Sequence, residues 1–363
     1  MGATVVPAGS RHAPSHHSWG ALAAARGRLQ KKALKLLGYL VVVFLVIKLI
    51  PGINEALKSL ERVRWEWVIA AFALEILSEM GFVVSWRAIV DPEDVLSREG
   101  RGRRMATRVA WAQLGGGMLV PGGSLTSVGV GAWILHRFGM PTKLIAERQF
   151  NLSFLNTAVD ALALIVFGLG LACGLFPGAN SLALTLLPAA LAAIGVVAAL
   201  LIARGAASYA ARAEAKHPKL ALSITTLADA VQDTERLLFH RRGPKSVLGA
   251  IAYLGFDVLV LWSAFIAIHA HPAPGFAVVV MAYIIGALGG SIPLPAGLGS
   301  IGGMVGMLIL YGVGHGPAVA AVLLYQAVGQ LVPLIGGAIA YVFLRRTLGP
   351  IRRAAPAPQT LRV

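Results

Sequence analysis

The 363-residue chain is 57% hydrophobic and 13% charged, with a mean hydropathy of +0.73. Soluble domains average about a quarter charged residues, so this composition excludes a soluble protein and points to an all-α polytopic membrane protein. The net charge of +16 does not make it a nucleic-acid partner: the basic residues fall in short runs between apolar spans, with no single basic face, and fit the bias of positive loops toward the cytoplasm.

Residues 1–32 carry Arg11, Arg26, Arg28, Lys31 and Lys32 and read as a disordered, basic cytoplasmic tail. His12, His16 and His17 lie there without acids or cysteines beside them, so no metal site is expected. No cleavable signal is expected either, because no small-residue cleavage site follows the first apolar run. That run, residues 33–50, is the first span, and its basic flank puts the N-terminus in the cytoplasm. Ile53, Leu57 and Leu60 recur at helical spacing among Glu55, Lys58 and Glu61, which predicts a short amphipathic helix on the outer surface. A second span, residues 67–90, returns to the cytoplasm, where Arg98, Arg101, Arg103, Arg104 and Arg108 follow.

The apolar stretch 109–136 decides the topology. It is broken at Pro121, Gly122, Gly123 and Ser124, and each piece is shorter than the ~20 residues a crossing needs. As one broken crossing it would export Arg137, Lys143, Arg148 and the basic residues of the 204–245 loop. As a re-entrant hairpin it keeps them all inside, and that reading is adopted. A third span, 150–175, leads to an uncharged outer turn, and a fourth, 182–203, returns. Leu220, Ile224, Leu227, Val231 and Leu238 then suggest a second interfacial helix. A fifth span, 246–268, exits. The run 276–313 is broken by Pro293, Pro295, Gly297, Gly299 and Ser300 and reads as an outer hairpin; residues 276–292 are nearly long enough to cross. The last span, 317–344, ends on Arg345 and Arg346.

The expectation is therefore about six full spans plus two re-entrant helical hairpins, or eight spans if the hairpins count as crossings. The domain runs over residues 33–347, with a cytoplasmic tail at 348–363. Its halves, about 33–175 and 182–344, repeat one order of elements with inverted topology, a plan found in transporters with midplane sites at broken helices.

Two sets of residues carry candidate chemistry. Each hairpin break precedes a helix whose opening serine, Ser124 or Ser300, suits an N-cap, and such helix starts bind anionic groups. The competing reading is close packing of small residues, the role expected of Gly302, Gly303 and Gly306. The second set is the intramembrane acids: Glu75 and Glu79, on one face of the second span, with Asp160 and Asp257. A charge at the bilayer centre costs ~2.5–3.5 kcal/mol on insertion scales, so these should face a polar interior. They read as a proton relay or a contact for a cation or polar headgroup, or as structural hydrogen-bonding groups. Under the inversion Asp257 falls near the level of Glu79, and Gln326 near that of Asp160. Arg87, at the cytoplasmic span end, snorkels or guides an anionic headgroup. The single cysteine, Cys173, offers no disulfide or thiolate site. No catalytic constellation is evident, and neither enzyme activity, a metal nor a cofactor is expected.

The stretch Ile292-Pro293-Leu294-Pro295-Ala296-Gly297-Leu298-Gly299, with Leu310-Tyr311-Gly312-Val313, Ala321-Val322-Leu323-Leu324-Tyr325, Pro333 and Gly336, resembles the lysylphosphatidylglycerol synthase transmembrane family. Gly115 to Gly139 resembles that family's first hairpin more loosely. The resemblance implies a multi-pass protein of the bacterial or archaeal cytoplasmic (inner) membrane, here with both termini cytoplasmic, that moves a phospholipid or lipid-linked anionic headgroup such as a polyprenyl phosphate between leaflets. Bifunctional members add a soluble aminoacyl transferase domain, for which no place is expected after the last span. An acid usual in the family is Gly302 here, and an arginine usual after Leu-Leu-Tyr is Gln326. The other reading is a non-transporting scaffold for a lipid- or glycan-modifying enzyme.

Overall fold

The computed structural model describes residues 53–98, 104–119, 123–178, 181–213, 243–289 and 298–348. The first predicted span, the interfacial helix after the fourth span, both terminal tails and Pro121, Gly122, Pro293, Pro295 and Gly297 lie outside them. Among the described residues the protein is entirely helical: α1 Ile53–Glu61, α2 Trp65–Val90, α3 Val95–Arg98, α4 Met105–Leu119, α5 Gly123–Arg137, α6 Thr142–Ala172, α7 Leu182–Ala213, α8 Gly243–Ala267, α9 Phe276–Leu288, α10 Leu298–Leu310 and α11 His315–Leu348. Five helices, α2, α6, α7, α8 and α11, are long and apolar enough to cross a membrane.

The centre is the antiparallel pair α2 and α8. Half of each apolar window is buried, against 11% for α7, whose Leu187, Leu191, Ile194 and Leu201 point outward as lipid-facing side chains would. The pair is close because glycines meet at the crossing: a Cβ on Gly81 would lie 2.6 Å from the Tyr253 amide nitrogen, and one on Gly249 would lie 2.7 Å from that of Ser85. In a lipid environment, where apolar burial drives little, such small-residue contacts supply the packing.

The short helices form two hairpins, α4–α5 and α9–α10, and each begins and finishes at one end of the bundle. The start of α4 (Met105, Ala106), the end of α5 (Ile134, Leu135), the end of α2 (Val90), Ile145 of α6 and Leu344 of α11 share one apolar core. At that end Arg148 donates to the Val90 carbonyl at 2.7 Å, and Arg87 pairs with Asp94 at 3.4 Å. Burial pushes the Asp91 carboxyl up from its usual range, and bonds from the Leu96 and Val95 amides partly offset this. The other hairpin sits at the opposite end. Gly275, before α9, packs on the Pro177 carbonyl, and Tyr311, after α10, donates to the Leu184 carbonyl at 2.8 Å. Also at that end, Arg64 N–H bonds the Ala267 carbonyl at 2.9 Å, and Gly316 abuts Glu55 of α1. At 15 and 13 residues, α4 and α9 are roughly 20 Å long, short of the ~30 Å hydrocarbon core.

Three expectations change. The third span begins at Thr142 rather than 150, because Lys143 and Glu147 form an i, i+4 pair at 3.8 Å that extends the helix past its apolar part. Helices α5 and α10 begin at Gly123 and Leu298, so Ser124 and Ser300 fall in the first turn and not at the cap. Of the three glycines assigned to packing, only Gly303 meets its neighbour, 2.3 Å from the Gly286 carbonyl if given a Cβ; Gly302 and Gly306, four apart on another face of α10, have no described atom within 4 Å.

Candidate functional site

The acids on the two central helices are brought together. Glu75 and Glu79 of α2 and Asp257 of α8 are 3%, 4% and 8% exposed. Because α2 and α8 run antiparallel, Ser78 reaches the Tyr253 carbonyl at 2.8 Å, which brings the two acidic faces to one level. Glu75 lies within electrostatic reach of Asp257 and Glu79, and Asp160 of α6, half-buried, within reach of Asp257. Asp257 Oδ2 accepts hydrogen bonds from Tyr283 of α9 and from Tyr325 of α11, the latter at 3.3 Å. The two rings meet edge to face, 5.9 Å between centroids. Tyr253 adds a third phenol against Phe82 at 5.5 Å.

Charge is not balanced here. Among the described residues no Lys, Arg or His pairs with these acids. Glu75 Oε2, Glu79 Oε2 and Asp257 Oδ1 are buried without a hydrogen-bond partner among the described residues. Buried polar atoms are normally satisfied, so three orphaned carboxyl oxygens on facing helices mark a place that the described residues leave open to a further group. Four acids also fail to make a metal centre: no three His, Cys, Asp or Glu among the described residues converge as metal ligands would.

Of the hairpin positions, Gly123, Ser124, Gly299 and Ser300 are among the described residues. Gly299 and Ser300 occupy the first turn of α10, and the Gly299 carbonyl lies 2.4 Å from where a Cβ of Gly289 would be. Gln326 does not join the acids. Its Nε2 makes a long 3.5 Å contact to Ser300 Oγ, and its Oε1 accepts from Gln330 at 3.2 Å. Gly123 opens α5.

Sequence reasoning missed the tyrosines and a second polar network. Trp86 Nε1 of α2 donates to Gln113 Oε1 of α4 at 2.8 Å, and the Gln113 and Gln149 amides bond reciprocally at 3.1 and 2.9 Å, joining α4 to α6. Each half of the chain thus links a long helix, a first hairpin arm and the following long helix. Trp86–Gln113–Gln149 does so in one half and Asp257–Tyr283–Tyr325 in the other, with the first two members 27 and 26 residues apart. A polar side chain inside each short apolar arm, Gln113 and Tyr283, was the signal available. Tyr283→Phe is expected to lower stability by about 1–3 kcal/mol by stripping Asp257 of a donor, and Tyr325→Phe by less, given its longer contact. Unfolding midpoints in detergent check this, and equal effects would contradict the assigned geometry.

With this geometry in place, the comparison with protein families is decisive. The description "lysylphosphatidylglycerol synthase TM region" matches residues 34–337. The chain belongs to that family. It is accordingly a multi-pass membrane protein of a lipid-related family. No curated protein and no solved structure matches the chain. In this member of the lysylphosphatidylglycerol synthase TM family, Gly302 opens onto space free of described atoms within 4 Å, and Gln326 is bonded to neutral groups.

Proposed function

We propose that the protein is a flippase-like transporter that moves a phospholipid or lipid-linked anionic headgroup between the leaflets of a bacterial cytoplasmic membrane. The observation that carries this reading is the unbalanced acid–tyrosine cluster: five helices from both halves converge on buried oxygens that a rigid structural element would have satisfied. In this reading the two hairpins are re-entrant from opposite faces, in an inverted repeat. Their placement at opposite ends of the bundle, their short arms and the paired polar networks support it. The phosphate contacts the first turns of α5 and α10, with Pro121, Gly122, Gly123, Ser124, Pro293, Pro295, Gly297, Gly299 and Ser300 shaping the breaks. Glu75, Glu79, Asp160, Asp257 and Gln326 line the route. Binding alternates between faces as one half moves against the other, and both termini are cytoplasmic. A second reading, a non-transporting scaffold for a lipid- or glycan-modifying enzyme, is favoured by the neutral residues at Gly302 and Gln326.

Translocation of fluorescent phospholipids and of polyprenyl phosphate in proteoliposomes separates the two. Wild type is expected to move at least one of them, and Pro295→Ala to slow it. No movement of any tested lipid would favour the scaffold. A topology reporter near Pro141 should read cytoplasmic and one near Gly178 external; residue 141 outside would sink the inverted repeat.

A further inference from the structure

Helix α6 carries a polar stripe that ends at the acid cluster. At 100° per residue, Gln149, Ser153, Asn156, Thr157 and Asp160 fall within one arc of about 100°. Ser153 and Thr157 are exposed, and Asn156 and Asp160 half-buried. The two hydroxyls satisfy themselves on the carbonyls one turn back, Gln149 and Ser153, both at 3.0 Å. Asn156 Oδ1, by contrast, is buried without a partner among the described residues. From Gln149 to Asp160 the stripe rises ~16 Å, about half the ~30 Å hydrocarbon core. It starts beside the charged end marked by Arg148 and stops at the residue within electrostatic reach of Asp257. An apolar lipid face gains nothing from such a stripe, whereas a column of water does.

The groups facing the cluster come from five helices. They are Glu75 and Glu79 from α2, Asp160 from α6, Tyr253 and Asp257 from α8, Tyr283 from α9 and Tyr325 from α11. None of them is a cation. Among the described residues no three His, Cys, Asp or Glu converge as ligands of a metal ion would. A proton on each carboxyl removes its buried charge, and with it the repulsion an anionic headgroup would meet beside three carboxylates.

We infer that Glu75, Glu79 and Asp257 form an intramembrane proton-binding site, reached by water from one face along the polar stripe of α6, which couples headgroup movement to a proton gradient. The inference rests on the translocation reading for its coupling, though not for the site itself. A proton leaves water at the charged end of α6, bonds to a carboxyl oxygen of the cluster, and is released to water on the other face when the bundle reopens. Tyr283 and Tyr325 hold Asp257 Oδ2, which leaves Oδ1 as its exchanging atom.

The test uses the full chain in phosphatidylethanolamine–phosphatidylglycerol vesicles with a lumenal pH dye, a fluorescent phospholipid and an imposed pH gradient. Wild type is expected to carry protons and to bias the lipid between leaflets by up to about tenfold per pH unit for each coupled proton. Glu79→Gln and Asp257→Asn should abolish the proton flux. Ser153→Leu and Asn156→Leu, on the accessible stripe, should slow it while leaving the folded protein monodisperse, so the test survives if a central acid variant misfolds. Lipid movement that ignores the gradient and every variant, or that follows a sodium gradient instead, would overturn the proton site and leave the translocation reading standing. Proton flux abolished by Glu79→Gln without movement of any lipid would keep the site and defeat that reading. Neither flux nor lipid movement from folded protein would overturn both.

Discussion

Replacing Gly81 with valine is expected to be severely destabilising. The added Cβ would lie 2.6 Å from the Tyr253 nitrogen and 2.8 Å from the Gly249 carbonyl. Both obstacles are backbone, so no side-chain rotation relieves the clash and the central pair α2–α8 must separate. Overpacking usually costs about 1–3 kcal/mol, and here the upper end or beyond is expected because all five cluster helices rest on this crossing. Gly249→Val should behave alike, and the double variant should cost less than the sum, since one separation serves both. Gly195→Val on α7, where no described atom lies within 4 Å of the new Cβ, is the control and should unfold like wild type. Unfolding of purified protein in detergent, followed by helicity, measures all four. A Gly81 variant as stable as the control would show that α2 and α8 do not cross where described.

Gln113→Ala is expected to have the next largest effect, about 2–4 kcal/mol. Gln113 is 2% exposed and its side chain is bonded to both Trp86 and Gln149. Truncation leaves the Trp86 N–H and the Gln149 amide buried and unpaired, each at ~1–3 kcal/mol, and adds a cavity. Gln113→Glu should retain the Trp86 bond yet place a carboxyl in an apolar core, and so restore little. A Gln113/Gln149 double-mutant cycle isolates the amide pair. A coupling near zero would mean that the first hairpin is held by apolar contacts alone.

The two networks also explain why one is a candidate site and the other is not. Trp86, Gln113 and Gln149 are neutral and satisfy one another, so the first half is locked. Their counterparts in the second half are an acid and two phenols that leave oxygens over, beside two further acids from the first half. A satisfied network rigidifies, and a partly satisfied one leaves hydrogen-bonding capacity unspent.

Much of the helical order was legible because hydrophobic runs and helix-breaking Pro and Gly are local properties of the chain. The composition required a helical membrane protein, the runs placed α2, α6, α7, α8 and α11 with ends off by up to about ten residues, and the breaks near Gly123 and Leu298 marked where short helices begin. Burial of Glu75, Glu79 and Asp257 was likewise expected from the cost of charge in hydrocarbon. Cap positions were read less well, because helix starts depend on backbone dihedrals a residue or two before the polar side chain. The glycines of α10 divided differently for a related reason: which of Gly302, Gly303 and Gly306 meets a neighbour is set by the rotation of a helix about its axis, and packing fixes that.

The sequence by itself therefore determined the class, the family, the long apolar helices and which acids had to be sheltered. Only the tertiary structure decided what shelters them. The antiparallel register of α2 and α8 brings residues of both halves to one level, Tyr283 and Tyr325 reach Asp257 across helix interfaces, and Gln326 turns to Ser300 instead of joining them. Contacts separated by 26, 68 and 175 positions in the chain leave no periodic trace in a sequence. They arise from helix crossing angles and close approach at glycines, which many distant residues fix together.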